Sequence, residues 1–197
     1  MTKNSTRLFP ILSIIFLLFT IGVYFFAKDN NFNNNNVTVL ENGIDEKIVK
    51  NDEGSFDIKI KKIDVSAPVI SEVDGTKKDE YNEKLKNGVA HLKETSFPGE
   101  DNNIFIFGHS SSEIGEGLYS DIFKDLNIIE NKDEIIISYQ NKKYYYSVFD
   151  KEVINKEDIG ITRPTASERL TLMTCWPIGT DEKRLMVKAR LVNVLED

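Results

Sequence analysis

The sequence predicts a mainly β domain, a barrel or sandwich of seven or eight short strands with one or two short helices. Short apolar or alternating stretches follow one another from Phe56 onward, and tight turns join most of them. A doubly wound parallel sheet would require more helical sequence between its strands than this chain offers. The 197 residues, 40% hydrophobic and 29% charged, suit one globular domain with appendages.

The N-terminal appendage is an uncharged apolar run at residues 8–27. As a helix of 20 residues this run would be about 30 Å long, the thickness of a hydrocarbon core. It is longer than the apolar region of a secretory signal, and the residues before Lys28 form a poor cleavage site, so we predict an uncleaved anchor. Lys3 and Arg7 precede it, which places residues 1–7 in the cytoplasm and the rest outside. We therefore expect a single-pass protein of the cell membrane.

The charge of the chain argues against nucleic acid as a partner. The net charge is −7, and the part after residue 27 is more acidic still, because the residues before it contain two bases and no acid. A surface without excess cations cannot displace the counterions of phosphates. The chain has one cysteine, which excludes an internal disulfide and multi-cysteine metal sites.

The first part of the exported chain is predicted to be a spacer followed by two strands and a helix. Residues 28–55, with their asparagine-rich start, predict a flexible stalk and spacer, and the folded domain takes residues 56–197. Residues 56–61 alternate in polarity as a half-buried strand does, and residues 65–73 continue in strand style. Residues 79–86 favour a helix, with acidic residues near its start.

The second part of the domain contributes the remaining strands. The segment NIFIF at residues 103–107 is a buried strand, and residues 118–126 form an amphipathic turn or two of helix. Residues 140–143 form a hairpin turn between two strands. The further strands are predicted at residues 135–139, 144–149, 152–154, 169–174 and 184–194.

The single cysteine, Cys175, lies at the end of one predicted strand, and Arg184 lies near the start of the next. A permanent cation lowers the pKa of a neighbouring thiol, so we expect a thiolate favoured near neutral pH. The alternative is a buried cysteine that acts as a small hydrophobe. A cysteine without a disulfide partner in an exported protein is a candidate reactive group, which favours a reactive Cys175 over a purely structural one.

Histidine is the natural partner of such a thiol, and the chain has two. His109 follows a strongly apolar strand through Gly108 and precedes three serines, a position typical of active-site groups. It lies 66 residues before Cys175, so only the fold could bring the two together. His91 is the competitor, in a short extended piece after the helix.

These residues resemble the sortase family in order and in spacing. The pattern consists of Gly108-His109 at a strand end, Thr171-Leu172-Met173-Thr174-Cys175, and Arg184 opening the next strand. The resemblance covers residues 56–194. It implies a sortase-like closed β-barrel and a cysteine transpeptidase that cleaves an LPxTG-like sorting signal and transfers the protein to an amine of a cell-wall precursor or a pilin lysine.

The resemblance also implies a role for each site residue. Cys175 would be the nucleophile, His109 the general acid and then base, and Arg184 the group that holds the substrate and stabilises the oxyanion. Thiolate, imidazole and guanidinium suit these roles chemically. His91 has no match and is expected to be structural or peripheral, and no aspartate or asparagine that orients His109 can be identified.

Several finer expectations follow. Some sortases bind calcium, and Glu94, Glu100 and Asp101 lie in a suitable region, but we predict no metal and no cofactor. With no lid motif in the spacer and no C-terminal apolar run, anchoring to the cell wall is favoured over pilus polymerisation. Trp176, next to the thiol, is a hypothetical wall of the acceptor pocket.

The alternatives are a catalytically inactive membrane-tethered β-barrel binding domain, an L,D-transpeptidase and a cysteine protease. The context of Cys175 differs from that of L,D-transpeptidases, in which the nucleophile lies in a His-Gly-Cys-like segment. A protease would differ only in its second nucleophile, which would be water rather than an amine.

Overall fold

The computed structural model describes residues 54–113, 115–158 and 162–196. Within these ranges the chain forms eight strands, one α-helix and two short 3-10 helices at Lys61–Ile63 and Leu126–Ile128. The elements are β1 (Phe56–Ile60), β2 (Val65–Val73), α1 (Lys78–Leu85), β3 (Val89–Leu92), β4 (Asn103–Phe107), β5 (Glu134–Tyr139), β6 (Lys142–Asn155), β7 (Arg169–Trp176) and β8 (Lys183–Glu196).

The strands close into a barrel in the order β1-β2-β3-β4-β7-β8-β6-β5. Most neighbours are antiparallel, but β2 pairs with β3 and β4 pairs with β7 in parallel. A parallel pair requires a crossover connection, which α1 supplies between β2 and β3. The predicted mainly β fold is confirmed. Because the sheet closes on itself, the fold is a barrel and not a sandwich.

The interior of the barrel is filled by the inward-facing residues of its strands. Along β1, Ile58 and Ile60 are buried whereas Lys59 between them is exposed, as expected from alternation in a strand. Burial of one such side chain contributes about 1.5–3 kcal/mol. A second, smaller apolar cluster lies outside the barrel wall, where Leu85 of α1 covers Phe105 and Phe107 of β4. This outer cluster borders the cleft described below.

The segment at residues 118–126 differs from its predicted α-helix. Its backbone bonds span three residues, as from Ser120 N–H to the Gly117 carbonyl, and the N–H of Phe123 donates to the carbonyl of His109 at 3.0 Å. An α-helix would require that N–H to reach Tyr119 instead. The chain therefore forms consecutive turns, although Phe123 and Leu126 are still fully buried.

The predicted cytoplasmic tail, membrane anchor and nearly all of the spacer lie outside the described residues. Among the residues that the structure describes, α1 and the 3-10 helices are too short and too polar to cross a membrane.

Candidate active site

The parallel pair β4–β7 brings His109 and Cys175 to the same cleft. Its register aligns Phe107 with Met173, and the N–H of Gly108 extends the pairing by donating to the Met173 carbonyl at 3.1 Å. The hydroxyl of Thr174 donates to the Gly108 carbonyl at 2.8 Å. One residue further along each chain, the imidazole and the thiol face the same cleft.

Arg184 lies on β8, which pairs with β7 along the edge opposite to β4, and it lines the same cleft. In the antiparallel β7–β8 pair, Cys175 lies opposite Arg184. The thiol, the imidazole and the guanidinium all line one cleft of about 740 Å³. The structure thus brings together the three residues that the sequence analysis singled out.

The cleft has an apolar floor and a charged rim. Phe105 and Phe107 of β4 and Met173 of β7 form part of its floor, and Tyr81 and Leu85 of α1 line one side. The charged side chains on its lining are Asp74, Lys78, Lys93, Glu94, Lys156, Asp158, Asp181 and Arg184. A cleft with this lining offers a peptide both apolar and polar contacts.

The pKa of Cys175 is raised, contrary to the expectation from sequence. Burial of the thiol is the largest cause, since it disfavours the charged thiolate. Arg184 lowers the pKa as expected, but Asp181 raises it again by its charge and by a hydrogen bond. The expectation of a favoured thiolate was therefore wrong, because it counted the cation and neither the burial nor the carboxylate.

Asp181 is a site residue that the sequence analysis missed. Its Oδ1 lies 2.8 Å from Nη1 of Arg184 and 3.6 Å from Sγ of Cys175. Arg184 and the thiol both stabilise the ionised carboxyl, and they hold its pKa below the usual range against the effect of burial. The signal in the sequence was an acid three residues before the arginine, in the turn that connects the thiol to that arginine.

His109 is 6% exposed, and burial lowers the pKa of its imidazole. No residue that the structure describes donates to or accepts from its ring nitrogens. Packing holds the ring instead, because a Cβ added to Gly115 would lie 2.5 Å from Cδ2 of the imidazole. At neutral pH the resting site therefore holds a thiol and a neutral imidazole.

His91 lies away from the cleft lining, in β3. Its side chain is fully buried, its Nε2 contacts the Ser96 carbonyl at 3.1 Å, and its ring packs against Phe97 with centroids 4.4 Å apart. These contacts agree with the structural role expected for it.

Trp176 packs against the core of the barrel and does not contribute to the cleft lining. The alternation of β7 turns it away from the face that carries Cys175, and its part in an acceptor pocket stays a prediction.

The acids considered for calcium do not form a cluster among the described residues. Glu100 Oε2 accepts from the N–H of Phe97 at 2.7 Å and closes a turn. Across the described ranges, no three histidine, cysteine, aspartate or glutamate side chains are grouped as metal ligands would be. The absence of metal and cofactor stays a prediction.

The fold and the site together define a class of protein, a closed eight-stranded barrel with a cysteine, a histidine and an arginine in one cleft. Residues 58–192 match the family model of the sortase domain. The chain belongs to the sortase family.

Known relatives are similar at moderate identity. The chain is 26% identical to sortase D of Bacillus subtilis (strain 168) over 139 residues, 68% of this chain and 62% of that protein. The chain thus spans less than two thirds of the length of this relative. A sortase D5 transpeptidase of Clostridium perfringens matches with a TM-score of 0.59 and 25% identity, over 71% of this chain and 79% of that one. Sortase C-1 of Actinomyces oris matches with a TM-score of 0.60 and 28% identity, over 70% and 73%.

Proposed function

We propose that this protein is a membrane-anchored cysteine transpeptidase. It would cleave an LPxTG-like sorting signal through a thioester on Cys175 and transfer the protein to an amine of a cell-wall precursor or a pilin lysine. The observation that carries the proposal is the convergence of Cys175, His109 and Arg184 in one peptide-sized cleft.

The first half-reaction begins from the neutral pair of thiol and imidazole. The proton of Cys175 moves to His109, and the thiolate attacks the carbonyl carbon of the scissile amide. The imidazolium then protonates the leaving amine, which a donor with a lowered pKa does readily. The raised pKa of Cys175 makes the thiolate scarce, but it also makes each thiolate more nucleophilic.

Arg184 would stabilise the oxyanion that forms in this step. Its side chain is 18% exposed, and Nη1 already holds Asp181 and the Lys183 carbonyl. A guanidinium has five N–H donors, so others remain for a substrate carbonyl. Preorganised donors of this kind are worth about 10²–10³ in rate.

The location that we propose is the outer face of the cell membrane, with one N-terminal span. The uncharged run at residues 8–27 and the bases Lys3 and Arg7 before it support this orientation. An LPxTG-like signal in an exported protein would then meet the cleft outside the cell.

The test uses the full-length chain in detergent micelles, an LPxTG-containing peptide and an amine acceptor, with products identified by mass spectrometry. The wild type should form a thioester that the amine converts into a ligated product, and Cys175→Ala should form neither. His109→Ala should lower the acylation rate by about 10²–10⁴ and Arg184→Ala by about 10²–10³. Arg190→Ala is the matched control, since this exposed arginine of β8 lies over Phe149 and outside the cleft lining.

The result that would overturn the proposal is a wild type that forms no thioester with any sorting-signal peptide and whose Cys175 resists small alkylating reagents. That outcome would favour the inactive binding domain. Hydrolysis without amine transfer would favour a cysteine protease.

A further inference from the structure

The carboxylate of Asp181 has one oxygen engaged and one oxygen open. Its Oδ1 contacts both Arg184 and Cys175, at 2.8 Å and 3.6 Å. Its Oδ2 has no hydrogen bond with any residue that the structure describes, and the side chain is 51% exposed. Lys156 acts on the carboxylate only through its charge, without a direct contact.

This carboxylate opposes the first half-reaction. Its negative charge beside Cys175 disfavours the thiolate and raises the pKa of the thiol. Once the thioester has formed, the sulfur carries neither a proton nor a charge, and this penalty disappears. At this acyl-enzyme stage the carboxylate of Asp181 lies next to the acyl group, and the second nucleophile has yet to bind.

We propose that Asp181 binds the ammonium group of the acceptor beside the thioester, as a specificity residue for charged amines. This inference rests on the proposed function and adds a docking group for its second substrate. A primary amine of a peptide or a lysine is protonated near neutral pH, so it arrives as a cation. The open Oδ2 offers it a charge-assisted hydrogen bond close to the bond that must break.

The chemistry of the transfer balances with the groups in the cleft. The ammonium gives one proton to neutral His109, and the freed nitrogen lone pair attacks the thioester carbonyl carbon. The C–N bond forms, the C–S bond breaks, and the sulfur leaves with the electron pair. The second proton of the nitrogen passes to the sulfur and restores the thiol, while His109 releases its proton to water.

The test is a competition between two nucleophiles for the same acyl-enzyme of the full-length chain. Lysine amide blocked at its α-amino group is a charged acceptor at pH 7.5, whereas hydroxylamine is uncharged. The ratio of amide to hydroxamate product should fall about fivefold in Asp181→Asn, the upper range for one partly exposed ion pair. Because both products come from one thioester, the ratio is independent of any change in acylation.

Two further variants separate binding of the ammonium from other effects. Asp181→Glu keeps the charge and should keep most of the preference for the amine. Asp74 also lines the cleft, and its carboxylate accepts a hydrogen bond from the Thr76 hydroxyl. Asp74→Asn removes one negative charge from the same cleft and should leave the product ratio unchanged.

Equal ratios in wild type and Asp181→Asn would overturn the inference while the hydroxamate product still supports the transpeptidase. An equal fall in Asp74→Asn would also overturn it, since the effect would then belong to the cleft's overall charge. A wild type that yields neither product would overturn the proposed function, and the inference with it.

Discussion

The hydroxyl of Thr174 donates a hydrogen bond of 2.8 Å to the carbonyl of Gly108. Thr174 precedes the thiol of Cys175, and Gly108 precedes the imidazole of His109. This bond therefore joins the two strand ends that carry the site, one residue from each functional group. Thr174 is only 3% exposed, so water cannot replace the bond easily.

Thr174→Val should slow acylation by about tenfold and lower the free energy of unfolding by about 1–3 kcal/mol. Valine keeps the shape of threonine but leaves the Gly108 carbonyl without this donor. Loss of the link also loosens the spacing of thiol and imidazole, and small misplacements of catalytic groups are costly. Urea denaturation and single-turnover acylation measure the two effects.

Thr171→Val is the matched control for this prediction. Thr171 donates to Asn103 Oδ1 at 2.8 Å, across the same two strands but outside the cleft lining. Its loss should destabilise the fold by a similar amount and leave acylation unaffected. Equal slowing in both variants would show that the Thr174 bond has no special part in the site.

Gly115→Ala should lower the acylation rate by about 10- to 100-fold. The added Cβ would lie 2.5 Å from Cδ2 and 2.6 Å from Cγ of His109, so the ring has to move. A ring shift of about 1 Å can cost 10²-fold in rate. The reactivity of Cys175 towards a small alkylating reagent, which needs no proton donor, should change far less than acylation.

Gly54 provides a control that shows whether a loss of acylation in Gly115→Ala comes from the site or from the fold. An added Cβ on Gly54 would lie 2.7 Å from the backbone of Gln140, outside the cleft lining. Gly54→Ala should therefore lower the melting temperature without lowering acylation per folded molecule. If Gly115→Ala behaves in the same way, the imidazole tolerates the contact and the prediction is wrong.

Local pattern was sufficient to predict most of the strands, although β3 was predicted only as a short extended piece. Residues 65–73 and 103–107 were predicted with the bounds that β2 and β4 have in the structure, because apolar runs and turn residues mark them clearly. The predicted strands at residues 144–149 and 152–154 are one continuous strand, β6. Its pairing with β8 along its whole length holds the polar stretch between them in place, and such long-range pairing leaves no local signal.

The arrangement of the site required more than local pattern. Only the resemblance in the motifs joined His109 to Cys175, since a parallel pair formed across 66 residues cannot be deduced from periodicity. Asp181 was missed because its importance lies in two distances, to Sγ and to Nη1, that the turn after Pro177 creates. Burial of Cys175 likewise depends on the assembled cleft and decides the direction of its pKa.

The thiol of Cys175 should be alkylated by iodoacetamide with a midpoint above the ordinary thiol pKa of about 8.5. Only the thiolate reacts, and burial raises the pKa of this thiol. Asp181→Asn should move the midpoint to lower pH, because it removes a negative charge and the hydrogen bond that favour the protonated form. Arg184→Ala should move it to higher pH. A shift of both variants in the same direction would contradict this account of the charges around the thiol.

The buried His91 should make the fold less stable as the pH falls below about 6.5, the ordinary pKa of histidine. Burial lowers the pKa of its imidazole in the folded chain, and the nearby Glu72 opposes this only in part. Well above pH 6.5 the ring is neutral in both states and the full stability is present. As the pH falls, the unfolded chain binds a proton that the folded chain does not, so the free energy of unfolding declines until the folded pKa is passed.

Urea denaturation between pH 7.5 and 5.5 should show this decline. His91→Gln should flatten it, and Glu72→Gln should steepen it, because the carboxylate that raises the pKa is then gone. A slope that stays the same in both variants would place the pH dependence elsewhere, with His109 the next group to test.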